Sequence, residues 1–80
     1  MRKDVLPFVR SEVASVLARS PHLLETTTPL IEYGLDSMRA LDIVVAMENE
    51  FDLEIEDEEV ADLRTIDDIV DCISRKMSDG

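Results

Sequence analysis

The chain has 80 residues, a net charge of −11, 45% hydrophobic residues, two glycines and three prolines, which predicts one domain, residues 1–80, with a small core. A single cysteine, Cys72, excludes an internal disulfide framework and a cysteine-rich metal cluster, and no apolar run is long enough to cross a bilayer. From Glu48 to Asp68 there are eleven carboxylates and one cation, Arg64, a balance that repels nucleic acid and attracts basic protein surfaces.

The first segment predicts a helix from about Asp4 to Ala18. Asp4 is a candidate cap, and Pro7 falls in the first turn, where its missing N–H costs little. Val5, Phe8, Val9, Val13, Val16 and Leu17 make one core stripe. Ser20-Pro21-His22 ends the helix, and a connection of some sixteen residues follows. That is too long for a tight hairpin, so it must wrap across the other helices, pinned by Leu23, Leu24, Leu30 and Ile31. Thr28-Pro29 predicts a single helical turn with Gly34 as its stop. His22, the only histidine, has no second ligand or catalytic partner beside it and reads as a loop residue.

A second helix is predicted from about Ser37 to Glu50, with Asp36 as N-cap. The hydroxyl of Ser37 then sits in the first turn, among free backbone N–H groups at the positive end of the helix dipole, where a phosphate is favoured. At roughly 100° per residue from Ser37, the residues Ala40, Ile43, Val44, Met47 and Phe51 span an arc of roughly 240–340°, a complete core face. Leu41, Val45 and Met38 fall elsewhere, at roughly 40°, 80° and 100°, among Asp42, Glu48 and Asn49. Either this helix is buried on two sides, or it carries an exposed apolar strip rimmed by carboxylates, the anatomy of a docking surface.

Beyond it, Ile55 is expected to turn inward. Asp57 is expected to cap a short helix from Glu58 to about Leu63, and Thr65 a fourth helix with Asp68 in a capping-box pattern. Ile66, Ile69, Val70, Ile73 and Met77 form the stripe of that helix, with Cys72 packing beside it. Ser78-Asp79-Gly80 reads as a frayed tail. The fold class is therefore all-α: four helices, three long and one short, with a long loop between the first two.

Catalytic constellations are missing. Ser37 has no histidine or lysine placed by sequence as its partner, and Gly-Leu-Asp-Ser-Met lacks the flanking glycines of a nucleophile elbow. No glycine-rich phosphate loop occurs, and the carboxylates of residues 52–59 lack the glycine of a calcium loop. The expectation is a protein with no catalytic residues and no metal ligands.

Gly34-Leu35-Asp36-Ser37-Met38 resembles the phosphopantetheine attachment motif of acyl carrier proteins, usually Gly-x-Asp-Ser-Leu. The resemblance continues through Met47-Glu48-Asn49-Glu50-Phe51, Ile55-Glu56-Asp57-Glu58-Glu59 and Thr65-Ile66, and so spans almost the whole chain. Met38 stands in place of the usual leucine, Arg39 where fatty-acid carriers commonly have an acid, and Glu56 where proline is common. The spelling from Leu30 to Ser37 is closer to carriers of polyketide and nonribosomal-peptide pathways. The resemblance implies an acyl-carrier-like bundle, discrete, monomeric and cytoplasmic. It further implies that a phosphopantetheinyl transferase places 4′-phosphopantetheine, donated by coenzyme A, on Ser37, with Asp36 flanking the site. An acyl, aminoacyl or polyketide group would be held there as a thioester. Docking to acyltransferase, ligase, adenylation or ketosynthase-type enzymes with basic surfaces would use Met38, Arg39, Leu41, Asp42, Val45 and Glu48, with Glu58 and Glu59 secondary. A housekeeping fatty-acid carrier is the alternative pathway assignment; an unmodified acidic adaptor or a cation-binding module is the alternative of another class.

Overall fold

The computed structural model describes residues 5–79. Four α-helices follow one another: α1 (Val5–Leu17), α2 (Ser37–Phe51), α3 (Asp57–Val60) and α4 (Ile66–Asp79). Two 3-10 turns, Pro21–Leu23 and Leu30–Tyr33, lie in the long connection between α1 and α2. There is no strand among the described residues, and the fold class is the all-α one expected.

The core forms where the apolar stripes meet. From α1, Val5, Val9, Val13 and Ala14 are buried; from α2, Ile43, Val44 and Met47; from α4, Ile66, Ile69, Cys72 and Ile73. Helix α1 packs against both α2 and α4. Phe8 and Phe51 close one end of this core edge to face, with ring centroids 5.5 Å apart and an interplanar angle of 89°, the geometry that the ring quadrupoles prefer. Cys72 is a packing residue, and burial pushes its thiol pKa up, away from reactivity.

Helix termini account for most of the boundary differences. Helix α1 ends at Leu17 because Ala18 takes a left-handed conformation (φ 57°), and the amide of Arg19 reaches back to the carbonyl of Ala14 at 2.9 Å. Asp52 (φ 53°) ends α2 in the same way. The predicted cap of α1, Asp4, lies outside the described residues. The cap of α3 is Glu56, one residue earlier than predicted, and its amide donates to Glu59 Oε1 at 2.8 Å. After Val60 the hydrogen bonds tighten to three-residue turns, from Asp62 to Glu59 and from Leu63 to Val60, so the helix stops short of Leu63. Thr65 does pair reciprocally with Asp68: Thr65 Oγ1 accepts from the Asp68 amide at 3.0 Å, and Asp68 Oδ2 accepts from the Thr65 amide at 3.1 Å. Helix α4 continues through Ser78 to Asp79, where a frayed tail was expected.

The long connection is held by polar cross-links as well as by burial. Leu24 and Leu30 are buried as predicted, whereas Leu23 and Ile31 are exposed and pin nothing. Both lie in the 3-10 turns; the residues that go to the core are Leu24, just past the first turn, and Leu30, the first residue of the second. Arg10 Nη1 donates to the Leu24 carbonyl at 2.6 Å, and the Glu25 amide donates to the Tyr33 hydroxyl at 3.0 Å. Arg19 lies 5.5 Å from the Tyr33 ring centroid, over its face. Two backbone bonds then fasten the loop around the start of α4: Leu30 N to Arg64 O, just before the helix, at 2.8 Å, and Asp67 N, in its first turn, to Thr26 O at 3.0 Å.

Candidate functional site

The approach to α2 is a built turn. Gly34 ends the 3-10 turn at φ 99°, a left-handed conformation that side chains with a Cβ rarely adopt, and its amide reaches the Ile31 carbonyl at 3.1 Å. The Leu35 amide returns to the Leu30 carbonyl at 3.2 Å. The chain then extends at Asp36 (φ −130°, ψ −178°) and enters the helix at Ser37.

Asp36 is fully engaged in holding that entry. Its Oδ1 accepts the Arg39 amide at 2.9 Å, and its Oδ2 pairs with Arg39 Nη1 at 3.1 Å. Arg39, which stands where an acid is common in fatty-acid carriers, thus neutralises the capping carboxylate beside Ser37. Ser37 itself is exposed, and among the described residues its hydroxyl makes no hydrogen bond. A free hydroxyl at the N-terminus of a fifteen-residue helix, beside an open groove, suits a phosphodiester sterically and electrostatically. The residues present therefore fit phosphopantetheine.

On α2, Met38 (78% exposed), Leu41 (58%) and Val45 (51%) form an apolar strip that leads away from Ser37, with Asp42 exposed beside it. The helix is buried on one side only. Glu58 is exposed on α3. Two other acids of the predicted docking set are occupied within the chain. Glu48 Oε2 accepts the amide of Ile55 at 2.9 Å, which fixes the turn that carries Ile55 inward. Glu59 Oε1 pairs with Lys76 Nζ at 2.8 Å. That hydrogen bond, and a second from the Glu56 amide, hold the Glu59 carboxyl below its usual pKa, while Glu59 raises that of Lys76.

A mostly apolar groove opens beside Ser37, lined by Pro29, Ile31, Leu35, Ala40 and Leu63 with Asp36, Ser37 and Arg64. Sequence reasoning missed it. Arg64, the one cation between Glu48 and Asp68, was the available signal, but its place in the groove with Ser37 depends on the tertiary fastening of residues 30 and 64. Leu35, Ala40 and Leu63 also line a smaller apolar pocket of about 20 Å³ that reaches Ile43, Val44 and Ile69. Among the described residues no cluster of potential metal ligands occurs, and His22 is exposed in the first 3-10 turn. Among the described residues no helix is long and apolar enough to cross a membrane.

A family model described as "Phosphopantetheine attachment site" matches residues 7–73. The acyl carrier protein of Thermosynechococcus vestitus is 31% identical over 78 residues, covering 96% of this chain and 96% of that protein. The acyl carrier protein of Bdellovibrio bacteriovorus is 34% identical over 71 residues, covering 88% of this chain and 91% of that one. The non-reducing polyketide synthase pkdA of Emericella nidulans is 30% identical over 74 residues, which are 92% of this chain and 3% of the synthase. A family match across most of the chain, with relatives aligned nearly end to end, means that the chain belongs to the acyl carrier protein family, whose prosthetic group is 4′-phosphopantetheine.

Proposed function

We propose that the chain is a carrier protein, without catalytic activity of its own, whose attachment atom is Ser37 Oγ. The observation that carries this reading is an exposed, unbonded serine hydroxyl at the first position of α2, with no histidine or lysine among the residues that line its groove. With no histidine or lysine beside it in the groove, Ser37 Oγ relies on a separate transferase to take its proton when the arm is attached. Ser37 Oγ forms a bond to the phosphorus of coenzyme A that bears the pantetheine; the bond from that phosphorus to the nucleotide breaks, and adenosine 3′,5′-bisphosphate leaves. Bound there, 4′-phosphopantetheine supplies a long arm with a terminal thiol that holds an acyl, aminoacyl or polyketide group as a thioester. The helix N-terminus stabilises the diester charge, and Arg39 removes the repulsion that Asp36 would otherwise exert.

Partner enzymes dock on the strip of Met38, Leu41 and Val45, with Asp42 and Glu58 attracting basic side chains. Such contacts are transient and weaken with salt. Glu48 and Glu59 contribute to the acidic field while serving the fold. The protein acts as a cytoplasmic monomer in which residues 1–80 form one carrier domain, and the spelling from Leu30 to Ser37 and the polyketide synthase among the relatives support a specialised-metabolite pathway. A housekeeping fatty-acid role is the second reading, favoured by the free-standing acyl carrier proteins matched over nearly their full length.

Intact mass spectrometry after incubation with coenzyme A and a broad-specificity transferase tests the assignment. The chain gains the mass of one phosphopantetheine and Ser37→Ala gains none; loading of the variant would place the site elsewhere. The masses of acyl groups loaded in a producing host separate the two pathways.

A further inference from the structure

We infer that Arg19 and Tyr33 are positioning residues for the loading of Ser37: they form a clamp that ties the start of α2 to the end of α1. This rests on the assignment of Ser37 as the attachment atom. The start of α2 has no core anchor of its own. No residue from Ser37 to Asp42 is buried, and the first buried residue, Ile43, lies about a turn and a half into the helix. Helix ends held only by their own hydrogen bonds fray at little cost in free energy. Ser37 must therefore be steadied from the segment before it, where the nearest buried residue is Leu30.

The clamp supplies that support. The Arg19 amide is tied to the Ala14 carbonyl at 2.9 Å, so its backbone moves with α1. Its Nε donates to the Tyr33 carbonyl at 3.2 Å, and its guanidinium lies 5.5 Å from the centroid of the Tyr33 ring. The Tyr33 hydroxyl accepts the Glu25 amide at 3.0 Å, next to the buried Leu24, whose carbonyl is held in turn by Arg10. Tyr33 is thus gripped at carbonyl, ring and hydroxyl, and it is the last residue of the 3-10 turn, directly before Gly34. From there each residue is bonded onward. The Leu35 amide returns to the Leu30 carbonyl at 3.2 Å, and Asp36 takes the Arg39 amide on its side chain and the Ala40 amide on its carbonyl, both at 2.9 Å. Arg19 itself is exposed, so replacing it opens no cavity.

The test compares wild type, R19M, R19K, Y33F and F8L by amide hydrogen exchange and by the rate of loading from coenzyme A with a broad-specificity transferase, read by intact mass. In R19M and Y33F the amides of Leu35, Arg39 and Ala40 exchange about 2- to 5-fold faster, the span of one exposed cation–π contact, and kcat for loading falls by up to that factor as the competent fraction shrinks. R19K keeps the cation without the planar fork and lies between wild type and R19M. F8L removes the ring packed on Phe51, at the opposite end of α2 from Ser37, and lowers Tm while leaving both readouts at their wild-type values. Unchanged loading and exchange in R19M and Y33F, or slowing in F8L that matches theirs at equal loss of Tm, overturns this inference alone. A wild-type chain that takes up no arm overturns it together with the carrier assignment.

Discussion

The carboxylate of Glu48, on the last turn of α2, accepts a hydrogen bond from the backbone amide of Ile55 at 2.9 Å. A residue positioned to look outward from the docking helix therefore also holds the segment between α2 and α3. Glu48→Ala strands a partly buried amide and is expected to cost about 1–2 kcal/mol, which lowers Tm by about 4–8 °C per kcal/mol in a domain of this size. Glu48→Gln keeps a carbonyl oxygen for the Ile55 amide and loses only the charge. Thermal melts rank wild type and Gln close together and Ala lower, while any fall in partner turnover in the Gln variant reports docking without a folding contribution. Equal stability of all three would remove the structural role.

Leu41→Asp tests the strip on α2. Leu41 is more than half exposed, so a polar replacement is expected to stay within about 0.5 kcal/mol of wild type. Turnover of the loaded protein by its partner enzyme is expected to fall about tenfold, as for loss of a central apolar contact. Collapse of the melting temperature would instead place Leu41 in the core.

The Glu59–Lys76 pair predicts a pH signature. Because the folded pKa of Glu59 lies below its ordinary value of 4.5, the pair's contribution is present above that value and is lost as the pH falls through the folded pKa. Lys76 is raised above 10.5, so the contribution is also complete below that value and is lost as the pH climbs through the folded pKa. The difference in Tm between wild type and Lys76→Met should be widest near neutral pH and close towards both extremes. Added salt should shrink it, since both side chains are partly exposed to solvent. A difference independent of pH would assign the effect to packing of the lysine stem.

Gly34→Ala isolates backbone strain. A Cβ at this position would meet nothing within 4 Å, yet φ is +99°. The expected cost is about 1–2 kcal/mol from conformation alone, and Gly34→Asn is expected to cost less, because asparagine tolerates left-handed backbone better. Urea unfolding measures both. An alanine variant as stable as wild type would mean that the turn relaxes to negative φ.

What was legible in the sequence was local or periodic. Asp36 announces a helix start through its side-chain chemistry, and the angular separation of Met38, Leu41 and Val45 from Ile43 and Met47 follows from helix geometry, so both were readable. The pins at Leu23 and Ile31 were misread because a loop has no period to say which side chain points inward. The cap of α3 was displaced by one residue because two neighbouring acids compete, and Glu56, not Asp57, gains the bond to Glu59. The engagement of Glu48 depends on the backbone of Ile55, past the end of the helix, and the placing of Arg64 in the groove beside Ser37 depends on Leu30, far back in the chain. Helical periodicity reports neither pair.

The uncovered strip of Met38, Leu41 and Val45 has a consequence for how such a protein diversifies. The exposed side chains of the strip, proposed to meet partners, are separate from those that hold α2 against α1, namely Ile43, Val44 and Met47. Selection can therefore rewrite the strip one residue at a time while the bundle keeps its stability, and pathways can diverge in enzyme pairing without first acquiring compensating core mutations. The same separation makes the strip a practical place to graft the recognition residues of another carrier and redirect this one to a foreign synthase.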